Sequence, residues 1–291
     1  MKKPEESFVV ICSIVRNAEK GLKNNIPVID KICRHFGAYQ IVVYENDSKD
    51  ATKRLLSEWM SQNPEHVHAF MEDFGIQTIP RAESVRCNPF FSLYRNERMS
   101  RFRNQYLEYI ESKGWDPDYL IVVDLDVAKI DIKGVISSFY TEEEWDAITA
   151  FGFSLAPNLR LRYHDTYILV ENGEENIRQT ELSIKNKAGK FARYYGSENL
   201  IPVYSAFGGL AIYKYDRVKG LRYKAMPNDD YRVESRGEHF SLYKQMNERG
   251  PLAVYINPKM RIKYQNVDLA LIWKTLRRKV SSSGVFCKKQ F

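Results

Sequence analysis

Cysteine is scarce in this chain. The four residues, Cys12, Cys33, Cys87 and Cys287, are never spaced as Cys-x-x-Cys. This excludes a disulfide scaffold, a thiolate zinc knot and a dithiol redox motif. Long apolar runs are also missing. After Met1-Lys2-Lys3-Pro4-Glu5-Glu6 only eight apolar-type residues precede Arg16, too few for a secretory leader or a bilayer span. A reducing, cytoplasmic setting is the resulting expectation. Internal repeats, low-complexity tracts and linkers are absent too, so one domain is expected over residues 1–268, followed by a tail at 269–291. Acidic residues are lacking in that tail, which carries Lys274, Arg277, Arg278, Lys279, Lys288 and Lys289. Setting the tail aside leaves the net charge of +7 close to neutral, which argues against nucleic acid as a partner of the body. The tail is expected either to touch an anionic surface, peripherally at the inner face of a membrane, or to be a solvated end.

What is present is the material of a globular protein, 44% hydrophobic and 28% charged, in a chain long enough to bury a sizeable core. The 19 Tyr and 15 Phe suit an aromatic core, or faces for sugars and bases. Residues 7–15 form an apolar, β-branched run, the pattern of a strand buried on both faces. Leu22, Ile26, Ile29 and Ile32 then recur at helical spacing, with Gly37 as the expected stop. A second buried strand covers 40–44, and Ser48 or Asp50 is expected to cap a helix over 51–60. Residues 75–95 read as irregular, a helix runs from about Glu97 to Ser112, and Tyr119–Val123 is a third strand. Further on, 145–153 reads as a strand, 171–199 as a polar loop or lid, and 203–213 as a glycine pair entering a strand. A helix over 238–249 and a strand over 253–256 complete the reading. The alternation predicts an α/β fold with a mostly parallel twisted sheet flanked by helices.

Asp124-Leu125-Asp126 closes the third strand. Along an extended strand the two carboxylates face one side, and they repel unless a cation lies between them. Mn²⁺ or Mg²⁺ takes such oxygens together with phosphate oxygens, and ligands of open α/β sheets bind at this edge. Glu45 and Asn46, where the second strand enters a polar turn, offer acceptors for ribose or a base; the turn also suits plain capping. Arg95, Arg98, Arg101 and Arg103 suit a diphosphate clamp or a solvated helix face. Gly208-Gly209 permits close backbone approach to a ligand, or a bulge. Glu238-His239 at a helix start offers a base or sugar binder and a metal ligand, or a chance pair.

The order of these segments resembles a GT-A-fold glycosyltransferase, Rossmann-like, with a smaller antiparallel acceptor-side portion. In finer detail it is similar to the fungal capsule-associated α-1,3-mannosyltransferase family. The similarity rests on Ile11–Asn17, Glu45–Thr52, the arginine helix ending in Arg103-Asn104, Asp124-Leu125-Asp126, His164-Asp165-Thr166-Tyr167, Ser205–Gly209, Gly237-Glu238-His239 and Asn257-Pro258. Departures are Tyr163-His164 for aromatic-Tyr, Tyr167 for Trp, and Gly237 for Cys. The resemblance implies a nucleoside-diphosphate sugar donor, GDP- or UDP-linked, a divalent metal, and a glycan or lipid-linked acceptor in surface polysaccharide synthesis. It puts Asp124, Asp126 and His239 on the metal. Arg16, Glu45, Asn46, Arg98, Arg103, Asn104, Asp124, Gly208 and Gly209 fall near the donor, and Asp165 and Glu238 at the chemistry. A nucleotidyltransferase acting on sugar phosphates and a non-catalytic nucleotide- or glycan-binding module are the alternatives.

Overall fold

The apolar runs become central strands because they bury both faces at once. The computed structural model describes residues 1–156 and 158–265; the tail expected at 269–291 lies outside them. The first half comprises β1 (Phe8–Val15), α1 (Glu19–Cys33), β2 (Ala38–Asn46), α2 (Thr52–Gln62), β3 (Val67–Glu72), α3 (Leu93–Ser112) and β4 (Tyr119–Val123). Then come β5 (Lys129–Ile130), α4 (Ile132–Ser137), β6 (Ala147–Leu155), β7 (Leu161–Tyr163), α5 (Glu181–Ala192), β8 (Ile201–Pro202), β9 (Leu210–Lys214), α6 (Tyr215–Val218), β10 (Met226–Pro227), β11 (Ser235–Arg236), α7 (Glu238–Glu248) and β12 (Val254–Lys263).

Ten strands form one sheet in the order β3-β2-β1-β4-β9-β6-β12-β5, with β7 on β6 and β8 on β12. The pairs β3-β2, β2-β1, β1-β4 and β6-β12 are parallel, while β9 runs antiparallel between β4 and β6. β10 and β11 form a separate antiparallel pair. Side chains alternate across the sheet as the pleat requires. Val9, Ile11, Ile41, Val43, Ile121 and Val123 enter the core layer on one face, and Val10, Cys12, Val42, Leu120 and Val122 the layer on the other. This is the mostly parallel, helix-flanked α/β fold expected. Among the described residues no helix is long and apolar enough to cross a membrane.

Several local expectations change. The 171–199 stretch contains α5, which starts in a capping box between Thr180 and Ser183 and buries Ile184, Lys187 and Phe191. α3 begins earlier than expected, at Leu93, because Ser92 caps it by accepting from the Arg95 N–H at 3.2 Å. Gly37 does not stop α1, which ends at Cys33. Its bare Cα instead lies against the Glu5 carbonyl, where a Cβ would come within 2.6 Å.

Candidate active site

The carboxyl ends of β1, β2 and β4 share one edge of the sheet, and a cleft of about 400 Å³ opens there, within the size range of small-molecule sites. Val15, Arg16, Asn46, Asp124 and Asp126 line it from the sheet edge, and Arg95 and Arg103 from α3. His164, Asp165, Phe207, Glu238, His239 and Tyr264 line it from the second half.

Asp124 and Asp126 reach the cleft by a turn rather than by strand alternation. β4 stops at Val123, the Asp124 N–H donates to the Gly209 carbonyl at 2.9 Å, and Leu125-Asp126 turns. α1 shapes that turn from beneath. The Asn25 side-chain amide, 1% exposed, donates to the carbonyls of Leu125 at 2.9 Å and Val127 at 2.7 Å. Gly21 allows the approach, since a Cβ there would lie 2.4 Å from the Leu125 carbonyl oxygen. Neither residue carries a catalytic signature in the sequence; only the inward face of α1, read from its Leu22, Ile26 and Ile29 spacing, points toward them.

The electrostatics turn on Arg103, which is 3% exposed. Its Nε donates to Glu238 Oε1 at 2.8 Å, its Nη2 is 3.8 Å from Asp124 Oδ1, and its Nη1 has no partner. Burial opposes ionisation of Glu238, but Arg103 overcomes it and holds the carboxyl at about 2. Asp124 behaves oppositely. Burial pushes it up to about 7, with Arg103 pulling down and Asp126 and Glu238 adding repulsion. Asp126 is exposed at the turn, yet desolvation by the surrounding cleft raises it too. Asp165 is pushed well above the carboxylate range by burial and then by Asp124 and Glu238, although it accepts the Gly208 N–H at 3.2 Å. Its backbone is left-handed, φ 66°, as are those of Asn17 and Asp47 at the opposite rim; Asn and Asp tolerate this conformation best among non-glycine residues.

His239 is brought to the cleft but not into a three-residue ligand set. Its ring stacks on Phe207 at 3.9 Å, its Nδ1 lies 3.3 Å from the Tyr213 hydroxyl, and burial keeps it neutral. No group of three or more His, Cys, Asp or Glu side chains is arranged around one metal position among the described residues.

Other expected donor residues divide sharply. Arg16 lines the cleft and donates from Nη1 to Thr78 Oγ1 at 2.9 Å. Asn46 lines it too. Glu45 is fully buried and accepts the Ser48 N–H at 2.7 Å, so it builds the turn. Asn104 is spent on the Tyr223 backbone, donating to its carbonyl at 3.0 Å and accepting from its N–H at 2.8 Å. Arg98 lies over the Tyr94 ring at 4.1 Å, and Arg95 takes the expected place in the lining. Gly208 and Gly209 serve the fold: both have positive φ, and a Cβ on Gly208 would come 2.1 Å from the Ala150 carbonyl oxygen. As expected, Asp50 caps the start of α2, its Oδ1 accepting the Thr52 N–H at 3.0 Å, and both Ser48 and Asp50 also reach across to the start of α1. Ser48 Oγ accepts the Asn17 N–H at 2.9 Å and Asp50 Oδ2 the Glu19 N–H at 3.1 Å. Tyr264, whose hydroxyl donates to Asp124 Oδ2 at 3.4 Å, carries no signal of a cleft role in the sequence.

A family model described as Cryptococcal mannosyltransferase 1 matches residues 8–242. The chain belongs to that family. Every cleft residue named above except Tyr264 falls inside the matched region. No curated protein matches the chain. Among solved structures it is similar to a mannosyltransferase from Pyrobaculum calidifontis in complex with GDP-Man and Mn²⁺, at 12% identity and TM-score 0.49, over 96% of this chain and 63% of that one. It is similar to S. aureus TarS (residues 1–349) at 13% identity and TM-score 0.45, over 89% and 60% of the two chains. Similarity to glucosyl-3-phosphoglycerate synthase from Mycobacterium tuberculosis, in complex with Mn²⁺, UDP and glucosyl-3-phosphoglycerate, is 12% identity and TM-score 0.44, over 96% and 80%. The chain thus spans less than two thirds of the length of the first two.

Proposed function

We propose that this member of the Cryptococcal mannosyltransferase 1 family transfers a hexosyl group from a GDP- or UDP-linked sugar to a hydroxyl of a glycan or lipid-linked acceptor, in surface polysaccharide synthesis. The family supports the reaction class, and its description makes mannose the first sugar to test. The observation that carries the reading is a cluster of charge: Asp124, Asp126, Asp165 and Glu238 line one cleft together with Arg16, Arg95 and the buried guanidinium of Arg103. That donor set fits a hard cation. Asp124 and Asp126 would hold Mn²⁺ or Mg²⁺, and with only two protein carboxylates the remaining positions fall to water and phosphate oxygens, the usual pattern for such ions at phosphate sites. When bound, the ion supplies electrostatic stabilisation of the departing diphosphate.

In this reading the chain's own residues divide the work. Arg16 and Arg95 attract and orient the diphosphate, and Asn46 meets the nucleoside. Glu238, held ionised by Arg103, is too weak a base near neutrality and fixes the guanidinium in place. Asp165 makes no ion pair among the described residues. It accepts the proton of the acceptor hydroxyl if configuration inverts, or faces the oxocarbenium-like sugar if it is retained. The basic tail would bring the enzyme to an anionic membrane surface, where a lipid-linked acceptor resides.

Thermal melts with GDP- and UDP-sugars, with and without Mn²⁺, test this directly, because a ligand specific to the native state raises the midpoint. The expected outcome is a metal-dependent rise that Asp126→Ala abolishes without lowering the unliganded midpoint. Donor affinity in Asp126→Ala equal to wild type in Mn²⁺ would sink the assignment.

A further inference from the structure

A second cleft, of about 240 Å³, opens beside α5. Arg178, Lys187, Lys190 and Arg236 line it, against only two lining carboxylates, Glu171 and Glu174. Arg236 is the telling residue. It is 6% exposed. Its Nη2 donates to the carbonyls of Glu175, at 3.3 Å, and Ile177, while its Nη1 has no partner. No carboxylate lies within salt-bridge distance of this guanidinium among the described residues, that of Glu175 included. A buried cation without a counter-ion is costly. Lys187, 9% exposed, donates to the Leu169 carbonyl at 3.0 Å and pairs with Glu174 at 2.9 Å. Lys190 pairs with Glu171, the other lining carboxylate, whereas Arg178 is exposed and has no ion pair among the described residues. Gln179 donates to the Tyr167 carbonyl at 3.0 Å, leaving its own buried carbonyl oxygen without a donor. The cleft therefore lacks an anion for Arg236 and a hydroxyl for Gln179.

We propose that this second cleft binds a phosphate-class anion, inorganic phosphate or the phosphate of a hydroxyl-bearing ester. A tetrahedral oxyanion accepts from the free Nη1 of Arg236 and from Arg178, and a protonated phosphate oxygen or a sugar hydroxyl donates to Gln179. The assignment does not rest on the transferase reading. The two clefts nevertheless share backbone. Residues 167 and 168 line the first and 170 the second, and Arg236 stands two residues before Glu238. An occupant of the second cleft thus lies next to the wall of the first.

The test is thermal melting of the full chain against inorganic phosphate and, separately, glucose 6-phosphate. At tenfold over Kd a single native-state site raises the midpoint by about 2–4 °C for a chain of this size. The expected result is such a rise in wild type, lost in Arg236→Met and weakened several-fold in Arg178→Ala and Lys190→Ala, while Arg16→Ala in the first cleft keeps it. Glucose 6-phosphate acting at tenfold lower concentration than phosphate assigns the ligand as a phosphate ester, and equal potency assigns free phosphate. If Arg236→Met does not fold, the two exposed-residue variants carry the test. No rise in wild type, or a rise that Arg178→Ala and Lys190→Ala leave intact and Arg16→Ala removes, overturns the proposal.

Discussion

Two regions of the first cleft hold carboxylates, Glu238 buried and Asp124 partly exposed, and treat them oppositely. At the start of α7, Glu238 has Arg103 at 2.8 Å and is held at about 2; at the turn after β4, Asp124 has the same guanidinium at 3.8 Å and is pushed up to about 7. One cation cannot satisfy both. The difference separates a carboxylate completed by the fold from one left short of positive charge, which sequence proximity to a motif cannot do. Removing the shared cation is the most severe way to break the comparison. Arg103→Met strands Glu238 in the interior and should cost about 3–5 kcal/mol in urea unfolding; a loss below about 1 kcal/mol would mean the pair is not what holds the wall.

The pH dependence sharpens the same contrast. Glu238 is depressed from 4.5 to about 2, so its stabilisation is present above the ordinary value and is lost as pH falls through the folded one. That amounts to roughly 3 kcal/mol across the window, and Glu238→Gln should flatten this acid limb of the stability curve. Asp124 is raised from 3.8 to about 7. Its contribution has the reverse sign, present below the ordinary value and lost as pH rises through the folded one, so Asp124→Asn should flatten the neutral limb. Matching slopes in both variants would erase the distinction.

Smaller effects test how each region is held. Asn25→Leu leaves the Leu125 and Val127 carbonyls unpaired and should weaken Mn²⁺-dependent donor binding by about tenfold, a typical consequence of losing support behind a metal ligand; unchanged binding by calorimetry would show that the turn holds itself. Least of all, Arg98→Ala should leave donor affinity untouched while Arg95→Ala lowers it a few-fold. The reverse order would restore the expectation drawn from the arginine cluster.

Much of the fold was legible because β1, β2 and β4 bury both faces, and a continuous apolar run has few other uses. β3 went unread because Val67 is its one buried residue, the mark of an edge strand. α5 went unread because its polar composition hides a capping box and three buried side chains. In the cleft, Asp124, Asp126, Asp165, Glu238 and Arg103 were picked out and are brought together. Glu45, Asn104 and Arg98 offer the same chemistry, yet Glu45 and Asn104 spend hydrogen bonds on the backbone and Arg98 lies over the Tyr94 ring. A sequence shows which side chains can bind, but not whose hydrogen bonds are already spent. Gly208 and Gly209 make the same point from the backbone: a glycine pair signals close approach, and the neighbours admitted are Ala150 at Gly208 and Ile262 and Tyr264 at Gly209.

The contact at Gly21 has an engineering consequence. Helix α1 follows Arg16 and Asn17 at one rim of the cleft, and one turn later the bare Cα of Gly21 carries the carbonyl of Leu125. The helix acts as a caliper, setting the gap between the rim and the carboxylate turn by the thickness of a single absent methyl. A library that varies position 21 will therefore change the gauge of the cleft before it changes its chemistry.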